Sequence, residues 1–235
     1  TESLYNAAMG AKTLTELEDL WAPFKKKKKT RGMVAAEKGL EPLADFIAGE
    51  NDDAAVEAEA EKFIKTDNAD EKLNVPTAKD AIEGAKDIIA ERTSQDTTNR
   101  SDVHDLYMAE GTIVTKGVVP EGQDAETAEK TSTYKMYWDY SEPLNQVKPH
   151  RILAINRGER EEALSVTIDV PVDDAVALLQ KKVKISNKYH KDAIEDGLVR
   201  LLSPAVVREI RSDETDEADG HGIELFSENL KNLLM

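Results

Sequence analysis

"VPTAKDAIEGAKDIIAERTSQ", residues 75–95, is the stretch whose periodicity decides the fold class. Pro76 closes the segment before it. Thr77 stands where a helix N-cap belongs, and Asp80 follows three residues later, placing a carboxylate at the positive end of the helix dipole. Ala81, Ile82, Ala85, Ile88 and Ile89 then recur at three- and four-residue intervals, which predicts one core-facing stripe on an α-helix.

The same helical signal extends in both directions. Upstream, Thr13 and Glu16 have capping-box spacing ahead of Leu14, Leu17, Leu20 and Trp21, and Pro23 ends that turn. Residues 33–48 read as two short helices with a corner at Gly39 and Pro42. Residues 54–65 are rich in Ala and Glu and favour helix. Downstream, a second helix is predicted over about 100–118, with Val103, Leu106, Tyr107, Ile113 and Val114 inward and Gly111 weakening its middle. Residues 120–133 read as a loop. Helices resume near 172–182, 188–202 and 204–211, with Ser203–Pro204 as a helix start. The acidic run "SDETDEADGHG", 212–222, is expected to frame a last helix carrying Ile223, Phe226, Leu230, Leu233 and Leu234. Only "LSVTIDV", 164–170, alternates apolar and polar residues with enough β-branching for a strand. The predicted fold is mainly α, an irregular multi-helix assembly with one short β element near 164–170.

The 235 residues include no cysteine, which excludes disulfides, thiolate metal sites and cysteine nucleophiles and favours a cytoplasmic protein. No apolar window approaches the roughly 20 residues of a membrane span. The first residues do not resemble a secretory signal. The missing initiator Met suggests a fragment or a processed chain. Charge is uneven: the net formal value is -16, yet residues 1–50 are neutral, with 8 basic and 8 acidic side chains. Residues 51–130 carry 9 basic against 20 acidic groups, and 212–235 carry 1 against 7. Such a field repels phosphate, so any nucleic-acid contact must be local.

The local candidate is Lys25, Lys26, Lys27, Lys28, Lys29 and Arg31, in "LWAPFKKKKKTRG". It reads either as a phosphate contact or as a solvated turn between helices. Two further clusters invite both functional and structural readings. In "YKMYWDY", Tyr134, Tyr137, Trp138 and Tyr140 could stack on bases, although packing between neighbouring elements is the expectation. In "HRILAINRGER", Arg151, Arg157 and Arg160 suit phosphate or carboxylate, internal ion pairs being expected and Gly158 being read as the helix end. "DETDEAD" lacks the glycine and glutamate positions of a calcium loop and reads as a solvated acidic segment or, alternatively, as a weak cation site or partner-binding patch. The four histidines lie far apart, and no phosphate loop, GxSxG elbow or HExxH frame occurs. No enzyme activity, cofactor, metal or small-molecule substrate is expected.

Several blocks in order resemble the bacterial transcription accessory protein (Tex) family. "TLTELEDLWAPFKKKKKTRGMVAAEKGLEPLAD" is similar to a family segment in which a leucine-rich helix runs through Pro23 and Phe24 into a basic stretch. Gly39, Leu40, Pro42, Leu43 and Ala44 then match a following block. "AIEGAKDIIAER", "YSEPL", "HRILAINRGE" and "FSENLKNLLM" look like successive family blocks. The pure lysine run departs from the family's interrupted basic stretch, and 171–192 has no close counterpart.

The resemblance implies a cytoplasmic transcription factor whose RNase H-like, helix-hairpin-helix and S1 RNA-binding domains lie outside this chain. Residues 1–70 would be the N-terminal helical region and 71–235 the central one. The implied role is a non-catalytic scaffold that binds RNA or DNA mainly through the other domains, with the lysine block as an auxiliary contact. The alternative is a protein-interaction scaffold whose acidic segments meet transcription machinery or the rest of the chain.

Overall fold

The structure, a computed structural model, describes residues 29–67, 71–118 and 133–234. It is mainly α. Helices α1 (Arg31–Glu37), α2 (Glu41–Ala48) and α3 (Asp53–Ala60) wrap around the long α4 (Ala78–Gln95). Helix α5 (Thr97–Glu110) leads into strand β1 (Thr112–Gly117). Then come β2 (Asp139–Pro143), α6 (Pro149–Arg160), β3 (Leu164–Asp169) and α7 (Val172–Lys182). Helix α8 (Lys188–Asp196) continues through a π-helical segment, Gly197–Leu202, into α9 (Ser203–Leu234). No helix among the described residues is long and apolar enough to cross a membrane.

Local chemistry explains most of these boundaries. Thr77 caps α4 by accepting from the Asp80 amide at 3.1 Å. The corner between α1 and α2 is a Schellman turn. Gly39 takes a φ of +79°, its N–H bonds to the Ala36 carbonyl, and the Leu40 N–H reaches back to Ala35. Pro42 in the first turn of α2 then costs no intrahelical bond.

The predicted helix over 100–118 is corrected. Helix α5 stops at Glu110, where Gly111 turns to extended backbone and its N–H bonds to the Tyr107 carbonyl at 2.7 Å. The β-branched run after Gly111 becomes β1, the centre of an antiparallel sheet of order β2-β1-β3. The expected single β element is therefore one edge of three strands, with Ile113 opposite Ile168 and Glu142. Buried Ile113 and Thr115 face the core, and the Thr115 hydroxyl donates to the Tyr137 carbonyl.

Three further expectations change. Gly158 does not end α6; it lies buried inside it, where an added Cβ would come within 2.6 Å of Leu164 and 2.9 Å of Tyr134. There is no break at Ser203. Pro204 lacks an N–H, and in an α-turn its ring would strike the Arg200 carbonyl. The chain widens into a π-segment instead, and the Ser203 N–H bonds five residues back to Leu198. Finally, "SDETDEADGHG" does not precede a last helix but runs inside α9, whose 32 residues extend from Ser203 to Leu234.

Two apolar clusters result. The first gathers Leu40, Leu43, Ile47, Val56 and Val75 around Ile82, Ile88 and Ile89 of α4. The second joins Val103, Tyr107, Ile113, Leu144, Ile152 and Ile155 to Leu198, Leu202, Val206 and Ile210.

Candidate nucleic-acid interface

Lys25, Lys26, Lys27 and Lys28 lie outside the described residues, as does the stripe from Leu14 to Trp21. The end of the block is described. Lys29 is exposed and pairs with Glu37 at 2.6 Å. Thr30 caps α1, accepting from the Met33 amide at 3.1 Å, while its hydroxyl donates to the Glu91 carboxylate of α4 at 2.7 Å. Gly32 is buried directly on α4. A Cβ there would lie 2.2 Å from the Glu91 Oε2 and 3.1 Å from the Asp87 carbonyl. The residues that follow the lysine run are thus fixed to α4 by a hydroxyl–carboxylate bond and a close backbone approach.

Arg31, the first residue of α1, is exposed and faces an acidic stripe. A cleft of about 330 Å³ has Lys29, Arg31 and Lys38 on one wall and Asp80, Glu83 and Asp87 on the other. Asp87 accepts from the Arg200 guanidinium at 2.9 Å, and Arg200 also holds Asp196 at 2.6 Å. Burial pushes the Asp87 carboxyl above its ordinary range, against the pull of Arg200 and Arg31. Reading the sequence for basic residues missed this acidic wall. Its signal was present in the spacing of Asp80, Glu83, Asp87 and Glu91, one face of a helix already identified.

The aromatic cluster is part of the core. Tyr134 and Tyr137 are buried, and the Tyr137 and Tyr140 rings meet edge to face with centroids 5.3 Å apart. The Tyr134 hydroxyl bonds to Glu161 at 2.9 Å. Tyr140 donates to Glu142, and burial together with that carboxylate pushes its hydroxyl up to about 12. These faces are packed rather than offered to bases. Two of the three arginines likewise meet acids of the same chain: Arg151 reaches Glu142 at 2.5 Å, and Arg157 reaches Glu161 at 2.9 Å.

Comparison with known proteins adds the family. A family model described as "Tex central region-like" matches residues 51–226. The whole chain aligns with YdcI of Bacillus subtilis at 41% identity, covering 32% of that protein. Transcriptional accessory protein Tex of Neisseria gonorrhoeae is 31% identical over 94% of this chain and 29% of its own length. S1 RNA-binding domain-containing protein 1 of Homo sapiens is 24% identical over the whole chain and 24% of its own length. The chain therefore spans about a third or less of the length of these relatives. With three quarters of its residues inside the match, as the block order had implied, the chain belongs to the Tex family.

Proposed function

We propose that this chain is a non-catalytic helical scaffold within a longer, cytoplasmic, nucleic-acid-binding transcription accessory protein. In this reading residues 1–70 belong to the family's N-terminal helical region and 71–235 to its central one. Lys25 to Lys29 and Arg31 form an auxiliary phosphate contact. The observation that supports it is the anchoring of Thr30 and Gly32 on α4, which fixes the residues that directly follow the lysine run. The Lys29–Glu37 pair does not oppose this role. Exposed ion pairs contribute only about 0–1 kcal/mol, so a phosphate can displace Glu37. Lysine ammoniums act as point charges, so binding should not discriminate sequence. Six neutralised phosphates predict a loss of roughly 10³ in affinity over a fourfold rise in salt. The test compares the chain with its Lys26/Lys27/Lys28→Glu variant for binding to RNA and to duplex DNA at low salt. Equal binding by the two sinks the contact.

A second reading has its own support. Ile223, Phe226 and Leu233 of α9 are more than two-thirds exposed and Leu230 nearly half, at spacings of three, four and three, among Glu224 and Glu228. Such a seam suits a protein surface, either transcription machinery or the remainder of the longer chain. A low-salt pull-down that recovers nothing, with no effect of neutralising Asp213, Glu214 and Asp216, counts against it.

A further inference from the structure

Where α9 crosses the end of α5 and the start of α6, a cavity of about 230 Å³ opens to the surface. Met108, Leu144, Val147 and Ile152 form its apolar walls, and Glu214 and Glu217 of α9 border it. The walls are held in place by the backbone. The Leu144 N–H bonds to the Gly111 carbonyl at 2.9 Å, and the Asn145 amide donates to the Ala109 carbonyl at 3.0 Å. The cavity is therefore a feature of the packed fold.

Glu214 is the anomaly in it. On the adjoining turn of α9, polar groups are matched to α6. Arg211 meets Asn156 at 3.1 Å and also Glu159, and the Asn156 amide donates to Thr215 at 2.9 Å. Glu214 has no such match. It is half-buried beside apolar walls, and the charges acting on it are those of Glu217 and Asp213, both repulsive. Burial first, and these two neighbours after it, push its carboxyl above the ordinary range. Among the described residues no lysine or arginine forms an ion pair with it.

A half-buried carboxylate next to a second one, over an apolar trough, is complementary to one kind of side chain. Lysine carries an apolar stem of four methylenes and a compact ammonium head, and it buries the first while presenting the second. Arginine fits less well, because its planar fork is best satisfied by one carboxylate taken edge-on. We propose that this cavity is a docking site for a lysine side chain of a protein partner, its stem lying along Met108, Leu144, Val147 and Ile152 and its ammonium between Glu214 and Glu217. This deepens the second reading above and rests on it. It is independent of whether the lysine block touches nucleic acid.

The test uses the whole chain labelled with ¹³C at its methionine methyl groups. Met108 lines the cavity, whereas Met136 is 74% exposed and is not among its lining residues, so it serves as a control. The probe is a doubly capped Gly-Gly-Lys-Gly-Gly peptide, titrated to about 10 mM, the range in which one side chain's contacts register. A saturable shift of the Met108 resonance is expected while Met136 stays still. The Nε-acetyl-lysine peptide, and separately the Glu214→Gln variant, should each weaken the response by at least about tenfold, the loss of one charged contact. No Met108 shift, or an equal shift with the acetylated peptide, overturns the proposal without requiring any variant to fold. A silent Met108 in a protein that still captures a partner through 223–233 ends the cavity and leaves the broader reading standing.

Discussion

Glu162 holds a φ of 58°, the left-handed region, and it is the one non-glycine residue described with a positive φ. The reason is the end of α6. The Glu162 N–H bonds to the Glu159 carbonyl and the Ala163 N–H reaches back to Gly158, the same pair of bonds that Gly39 and Leu40 make at the end of α1. Glycine serves at the first of these turns, whereas a glutamate bears the strain at the second. Left-handed backbone costs a residue with a Cβ about 1–2 kcal/mol, while glycine gives back about 0.4–1 kcal/mol through the unfolded chain. Glu162→Gly should therefore raise stability by about 0.5–1 kcal/mol, read as a higher urea midpoint at unchanged slope. A midpoint that stays or falls shows that the glutamate side chain contributes something the turn needs. The glycine visible in the sequence, Gly158, had a different task. It is small because Leu164 and Tyr134 pack onto it, and no one-dimensional pattern separates a glycine kept for space from one kept for φ.

At the scale of elements, what was legible followed the strength of local signals. Helix α4 was plain from its cap and stripe, and β3 from its β-branched alternation. Strand β1 was not, because Ile113 and Val114 continue the helical spacing of Val103, Leu106 and Tyr107 and only Gly111 interrupts it. Strand β2, Asp139–Pro143, has only Tyr140 as a strand-favouring residue among Asp, Ser, Glu and Pro. Its place comes from pairing with β1 across non-local contacts, so tertiary structure overrides the local preference. The acidic run in α9 misled in the opposite sense. Gly220 and Gly222 each cost a helix about 1 kcal/mol relative to alanine, yet the helix passes through both. Ala218, two residues earlier, is almost fully buried in the second core, so packing on α6 carries the helix into this stretch. The lysine block was legible as charge. The acidic wall was legible as spacing on α4, but its place opposite Lys29, Arg31 and Lys38, like the cavity under Glu214, needed the fold, because each joins residues that are distant in sequence.

At the scale of the molecule, the question is whether two apolar clusters make two independent units. The α8–π–α9 rod argues that they do not. Consecutive residues of α8 divide between the clusters, Ala193 belonging to the first and Ile194 to the second. Gly197 then lies on the backbone of α4, where a Cβ would come within 2.7 Å of the Ala90 carbonyl oxygen, and Arg200 ties the π-segment to Asp87 of the same helix. Tyr107 of α5 donates to Ser203 at 2.9 Å, both buried, fixing the second cluster to the start of α9. Opening either cluster exposes one face of this rod and strands its buried polar bonds, so each should lose its support when the other opens. Leu43→Ala tests this. Leu43 is fully buried in the first cluster, and its truncation should cost about 2–5 kcal/mol. Trp138 packs on the second cluster and reports on it by fluorescence, in a Trp21→Phe background that removes the other tryptophan. In urea, the variant's Trp138 and far-ultraviolet circular dichroism midpoints should fall together and by the same amount, because the rod transmits the loss from one cluster to the other. A Trp138 midpoint that stays in place while the dichroism splits into two steps means that the clusters unfold separately, and the rod is then only a bridge between them.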